Sequence, residues 1–166
     1  MDPMTKLTEH FTLKEMTASA NHPEVYNVPP LDVIDNIRRV CEWLEDLRRV
    51  YNLRYGNNVN TEENGNRPIL INSGYRSPML NRAVGGAAKS NHLTGSAADI
   101  RCPGKTANER AQMALRYAIL LIEIAEYRNE KFDELIIERK GTNWWVHFAV
   151  KESGNSMHIT CLNKSS

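Results

Sequence analysis

The sequence lacks the marks of several large protein classes. No stretch approaches the ~18 consecutive apolar residues that a membrane-spanning helix needs, so no membrane insertion is expected. The opening Met1-Asp2-Pro3-Met4-Thr5-Lys6 has no charged segment leading into an apolar one, so no secretory signal is visible. Net charge is nearly absent: 21 Lys+Arg stand against 20 Asp+Glu, a formal +1. A chain without a basic field has little to condense on phosphates, which argues against nucleic acid as a partner. The three cysteines, Cys41, Cys102 and Cys161, form no CxxC pair. They fit a reduced interior better than a disulfide framework or a thiolate zinc site. No GxxxxGK[ST] phosphate loop exists, and Gly85-Gly86 is too isolated to serve as one.

What is present suits one compact domain. A chain of 166 residues with 41% hydrophobic and 25% charged residues is neither disordered nor collagen-like. At this length it can bury roughly 68–70% of its unfolded surface. Residues 1–30 read as an N-terminal arm packed on a domain spanning 31–166. Within the arm, Thr12-Leu13-Lys14-Glu15 has the form of a capping box and predicts one short helical turn. Pro23, Pro29 and Pro30 prevent a longer one.

Two long helices are predicted. From Leu31 to about Tyr51, Ile34, Ile37, Val40, Cys41, Leu44, Leu47 and Val50 fall in steps of three and four, with Asp35, Arg38, Glu42, Glu45 and Arg48 opposite. Trp43 reads as core. From about Ala107 to Tyr127, capped by Thr106 with Glu109, the predicted buried stripe is Ala111, Leu115, Ala118, Leu121, Ile122 and Ala125. Asn57–Arg67 reads as a loop and Pro68–Asn72 as a buried strand. Phe132–Glu138 and Trp144–Val150 read as strands joined by a turn at 139–142, with a weak last strand near Met157–Cys161. Helices and strands segregate, which makes the fold class α+β: a small antiparallel sheet with two long helices packed on it.

Five histidines remain for any transition-metal or acid–base chemistry near neutral pH. His10, His22 and His158 lie outside any motif and read as surface residues. His92 sits in a loop, followed by Gly95 and small residues, with Asp99 in a strand-like run. Small residues there let backbone approach whatever His92 and Asp99 hold. A carboxylate between Ala98 and Ile100 costs several kcal/mol if buried alone, so Asp99 is expected to have a cation, a metal or several donors beside it. His147 lies inside the apolar Trp145-Val146-His147-Phe148. Two imidazoles and one carboxylate are the ligand set of a catalytic zinc site with an open fourth position. Ser77 and Ser90 have no His/Asp relay, which argues against a serine nucleophile.

Three segments carry a resemblance: Ser73-Gly74-Tyr75-Arg76-Ser77-Pro78, Ser90-x-His92-x-x-Gly95-x-Ala97-x-Asp99, and Trp145-Val146-His147, with Phe11-Thr12-Leu13-Lys14-Glu15-Met16 ahead of them. Together they resemble the zinc D-Ala-D-Ala peptidases of peptidase family M15, in their small bacterial and phage form, over residues 8–150. The resemblance implies the small α+β fold shared with the hedgehog signalling domain. It implies one Zn(2+) per chain held by His92, Asp99 and His147, with Arg76 facing the substrate to polarise the scissile carbonyl or hold a carboxylate. The implied reaction is hydrolysis, by zinc-activated water, of amide bonds at D-amino acids in peptidoglycan stem peptides, as a D,D-carboxypeptidase or an endopeptidase. The implied partner is a stem peptide or muropeptide, met by a monomer. Such an enzyme is made in the cytoplasm and acts on the cell wall once released or exported, as phage- or prophage-encoded lysins do.

One position departs from the family. Its usual general base, an acid three residues before the last zinc-ligand His, is here Trp144. Glu134 or Glu138 on the preceding strand could replace it, since their spacing of four puts both on one strand face. Zinc and Arg76 alone could give a slow hydrolase. A third alternative is a non-catalytic wall-peptide-binding or structural module that retains the zinc site.

Overall fold

The computed structural model describes residues 1–56 and 66–165; the loop expected at Asn57–Arg67 lies mostly outside them. Among the described residues four α-helices form: α1 (Leu13–Thr17), α2 (Ile34–Tyr55), α3 (Pro78–Ala83) and α4 (Ala107–Arg128). Five strands, β1 (Ile71–Ser73), β2 (Ala97–Arg101), β3 (Glu134–Lys140), β4 (Asn143–Ala149) and β5 (His158–Asn163), make one sheet in the order β1-β2-β4-β3-β5. The class is α+β. Among the described residues no helix is long and apolar enough to cross a membrane.

Both expected capping boxes are made. Thr12 accepts from the Glu15 amide and Thr106 from that of Glu109, while each glutamate reaches back to its cap's backbone N–H. These contacts satisfy donors that a bare helix start leaves orphaned. The buried stripe of α2 follows the predicted spacing, with Trp43 fully buried against Phe132 and Phe148. On α4 the expected stripe is displaced. Leu115 is exposed, and Met113, Ala114, Tyr117, Leu120 and Ile124 are buried beside Ala118, Leu121 and Ala125. The reason is that α4 packs on β4 and β3 with one side and on α2 with another. A helix covered on two sides buries a face too broad for a single seam.

The first four strands of the sheet order pair antiparallel, and β5 then joins the outer side of β3 in parallel. Alternation divides each strand between two faces. Ala98, Ile100, Leu135, Val146 and Phe148 enter the core beneath the helices. Asp99, Trp145, His147, Glu134, Ile136 and Glu138 take the opposite face. An irregularity in β1 leaves Ile71 opposite Ile100 but brings Ser73 opposite Asp99, on that second face.

The N-terminal arm is structural. Leu7, Phe11, Leu13 and Met16 are buried in the main core. The Met16 carbonyl accepts from the Tyr75 amide at 2.7 Å, which fixes the segment after β1. That approach requires glycine at 74, because a Cβ there would drive into the Met16 carbonyl oxygen. Asn27 completes the brace: its Nδ2 donates to the Thr17 and Tyr75 carbonyls, and its Oδ1 accepts from the Ser77 amide at 2.6 Å. Farther out, the Glu45 carboxylate of α2 holds the Thr8 hydroxyl, the His10 amide and the His10 ring, each at 2.7 Å.

Two outcomes follow for stability. Gly74→Ala should cost about 1–3 kcal/mol through forced displacement of the arm, a fall of about 2–4 °C in Tm per kcal/mol for this size. A wild-type melting curve would show that the arm does not press on residue 74. Burial alone would raise the Glu45 carboxyl, but hydrogen bonds from His10 and Thr8 outweigh it and hold the carboxyl below its ordinary value. A depressed carboxyl stabilises above its unfolded pKa and loses that contribution as pH falls through the folded one. The Tm gap between wild type and Glu45→Gln should therefore be present near pH 7 and shrink below about pH 4. A gap independent of pH would refute the linkage.

Candidate metal centre

The sequence-predicted residues converge on the sheet face away from the helices. Asp99 of β2 lies directly opposite His147 of β4, and His147 opposite Ile136 of β3. His92 reaches them from a 3-10 turn, Asn91–Thr94, capped by the Ser90 hydroxyl, which accepts from the His92 amide. That turn closes on Gly95 in the left-handed region, φ 72°. A Cβ there would be strained and would also meet Ile37 Cγ1 at 2.6 Å, so glycine is needed for the chain to enter β2.

Each donor atom is aimed by its partners. His92 Nδ1 lies 2.7 Å from the Gly74 carbonyl and donates to it, which leaves Nε2 facing Asp99 Oδ1 at 3.3 Å. His147 presents Nδ1 to the same Asp99 oxygen at 3.1 Å, while its Nε2 sits 3.2 Å from Glu134 Oε1. The three donor atoms lie within 4.8 Å of one another, and all three residues are buried. A tetrahedral zinc with arms of about 2.0–2.1 Å sets its ligands about 3.3 Å apart, so the two imidazole–carboxylate spacings already match. Pinning the far nitrogen of each ring by a carbonyl or carboxylate is also the arrangement that orients metal-binding histidines. The donor set fits a divalent transition metal, with no thiolate near.

The charges agree. Burial would raise Asp99, yet His92 and His147 outweigh it and hold the carboxyl far below its usual range. Burial would lower His147, but Asp99 and Glu134 raise it to about 9. Two imidazoles and a buried anion thus stabilise one another even without an ion.

Arg76 sits where β1 ends, its backbone amide bound to the His92 carbonyl at 3.0 Å. Its Nη2 donates to Asp99 Oδ2 at 3.0 Å and its Nε to Ser73 Oγ at 2.9 Å, while Nη1 approaches Asn81 Oδ1 at 3.4 Å. Of five guanidinium N–H groups, two remain for the cleft. The bond to Asp99 was not foreseeable from spacing: Arg76 steadies the carboxylate as well as facing outward.

Glu134 and Glu138 both line this cleft but differ in attachment. Glu134 Oε1 takes His147 Nε2 and also Asn91 Nδ2 at 2.5 Å, and these hydrogen bonds hold its carboxyl low despite burial. Glu138, across Ile136 on the same face, is buried and held by Trp145 Nε1 and by Lys164 Nζ at 3.3 Å. Trp144 explains the departure from the family pattern. Because β4 already begins at Asn143, residue 144 is inside the strand and points away from His147, against the core, with Arg139 stacked on its ring. An acid at 144 would face the helices rather than the His92–Asp99–His147 cluster.

Sequence reasoning missed several contributors. Asn27 and Lys164 lie in segments with no motif, while Ser73 and Asn91 lie inside the motif segments at positions with no role attached, and only the fold shows that they hold Arg76 and Glu134. Asn81, on α3, holds Arg76 and the Ala87 carbonyl. His158, read as a surface residue, is exposed and lines the cleft rim opposite Glu134.

Comparison with curated proteins gives no match. The family model described as Peptidase M15 matches residues 9–132, which takes in Arg76, His92 and Asp99 and stops just short of β3. With three quarters of its length matched and a His-Asp-His cluster of metal-binding character in place, the chain belongs to the peptidase M15 family, whose members are metal-dependent peptidases.

Proposed function

We propose that this protein is a zinc-dependent peptidase that hydrolyses amide bonds at D-amino acids in peptidoglycan stem peptides. The observation that carries the reading is the convergence of His92 Nε2, Asp99 Oδ1 and His147 Nδ1 at the floor of an open polar cleft. His92, Asp99 and His147 would hold one zinc ion. Bound there, zinc supplies Lewis-acid chemistry, polarising an amide carbonyl and acidifying a water.

The chain's own side chains divide the remaining work. The two free N–H groups of Arg76 bind the substrate carbonyl or a carboxylate beside it, in a fork that suits planar oxygen pairs. Glu134 fixes the ring of His147 through Nε2 and so sets which nitrogen faces the ion. Glu138 acts as general base and then acid, taking a proton from the attacking water and delivering it to the leaving nitrogen. Trp145 and Lys164 hold its carboxylate over the cleft. The overall reaction adds one water across the C–N bond, oxygen to the carbonyl carbon and protons to nitrogen, giving a carboxylate and an ammonium.

Purified protein should carry about one zinc per chain, and His92→Ala, Asp99→Ala and His147→Ala should each lose it by elemental analysis. Retention of full zinc by all three variants would sink the assignment. With zinc loaded, incubation with purified sacculi should release peptide fragments detectable by mass spectrometry, stop with chelator and resume on adding zinc. Glu138→Gln should keep its zinc and lose turnover by roughly 10²–10⁴-fold, whereas Glu134→Gln should weaken zinc binding by roughly 10–100-fold. The reverse pattern would exchange the two roles.

A further inference from the structure

The helix layer carries a surface that the fold leaves uncovered. Helices α2 and α4 have the same length, 22 residues, but their outer sides differ. On α2 the exposed positions Asp35, Glu42 and Arg49 are charged, as a solvated helix face ordinarily is. On α4, Leu115 is 51% and Ile119 53% exposed, and Ile122 is only partly covered by the core. These three follow one another at steps of four and three, and Gln112 and Glu126 continue the same spacing at the two ends. Alternating steps of three and four are those of a seam that meets a second helix. Isolated surface leucines need no explanation, but a contiguous apolar stripe framed by polar residues marks a contact site. We propose that this stripe joins two copies of the chain in a two-fold symmetric dimer, α4 against α4 in antiparallel sense, in place of the monomer implied by the resemblance.

The order of charges along α4 selects a second copy as the occupant. In an antiparallel pair centred on Ile119, Leu115 of one copy lies against Ile122 of the other, and Gln112 against Glu126. Arg116 then meets Glu123 of the second copy, and by symmetry the same pair forms again on the other side of the axis. Arg116 is held at the flank of the stripe by stacking on Tyr55, 4.2 Å from the ring centroid. Glu123 is held there by Arg54 Nη2 at 2.9 Å, and a carboxylate with about four lone-pair sites can accept a second guanidinium. A stripe with its cation in the N-terminal half and its anion in the C-terminal half complements itself only when the two copies run in opposite directions. Parallel pairing would set Arg116 beside Arg116 and Glu123 beside Glu123. A lipid surface is a poorer fit, because helices that lie on membranes carry basic polar faces, and here Glu123 and Glu126 border the stripe. The sheet separates this surface from the metal-binding cluster: α4 packs on one face of β3 and β4, and His92, Asp99 and His147 lie on the other. Pairing therefore leaves both clefts open, and the inference does not depend on the reaction they carry out.

The test is sedimentation equilibrium of the full-length protein over a concentration series reaching about 1 mM, in reducing buffer so that the exposed Cys161 cannot link chains. The expected result is a reversible dimer, approaching twice the 18.9 kDa chain mass as concentration rises. Ile119→Asp places two carboxylates at the centre of the seam and should raise the dissociation constant by roughly a hundredfold or more. Its melting curve at low concentration should stay that of the wild type, because the side chain is half exposed; this separates lost association from lost folding. Arg116→Glu and Glu123→Arg should each weaken self-association by roughly tenfold, because the two copies then present like charges to each other. Mixed in equal amounts, these two variants should associate more tightly than either does alone, since opposite charges meet again in the mixed pair. Wild-type protein that stays monomeric throughout the series would overturn the proposal, and monomers that cosediment with phosphatidylglycerol vesicles would assign the stripe to a lipid surface instead. A dimer that Ile119→Asp leaves intact would put the interface elsewhere and overturn it as well. A mixture that associates no better than its components would refute the antiparallel pairing.

Discussion

The buried carboxylate of Asp99 is the contact on which the site depends. One oxygen faces both His92 and His147, and the other receives Arg76. A lone carboxylate at that depth would be driven to the neutral form. Here three cationic or donor groups from three separate segments keep it charged, and in doing so they aim themselves. Removing Asp99 would therefore release two imidazoles and a guanidinium together, which ties the geometry of the metal centre to one residue of a central strand.

Strand alternation does most of the remaining placement. The pairing of β2 with β4 and of β4 with β3 lays Asp99, His147 and Ile136 in one row across the sheet. Glu134 and Glu138 stand to either side of that row. The same alternation takes Trp144, Val146 and Phe148 to the helix side, where they are core. Chemistry and stability are thus written on opposite faces of the same strands.

Much of this was legible in the sequence because it is local. The two capping boxes, the α2 seam and the hairpin before His147 depend on residues a few positions apart, and the motif around His92 and Asp99 is a single turn and strand. What was not legible is what the tertiary fold decides. The α4 stripe could not be phased without knowing that two neighbours cover it. The meaning of Trp144 depended on where β4 begins, a boundary that spacing does not define. The parallel addition of β5 to an otherwise antiparallel sheet, and the arrival of Lys164 beside Glu138, are long-range pairings with no local signal. Glu134 and Glu138 looked equivalent by spacing and separated only once their partners were known.

The brace formed by Met16 and Asn27 has a consequence for how the molecule comes to be active. The cleft is walled on one side by residues of the arm and on the other by Lys164, so it joins segments from opposite extremes of the described chain. Contacts of such large sequence separation form late, after loop closure has been overcome. During synthesis the helices and the hairpin can collapse while the cleft is still missing a wall. A site assembled in this order is complete only once its last strand has docked, so its geometry reports on the whole fold and not on any one part of it.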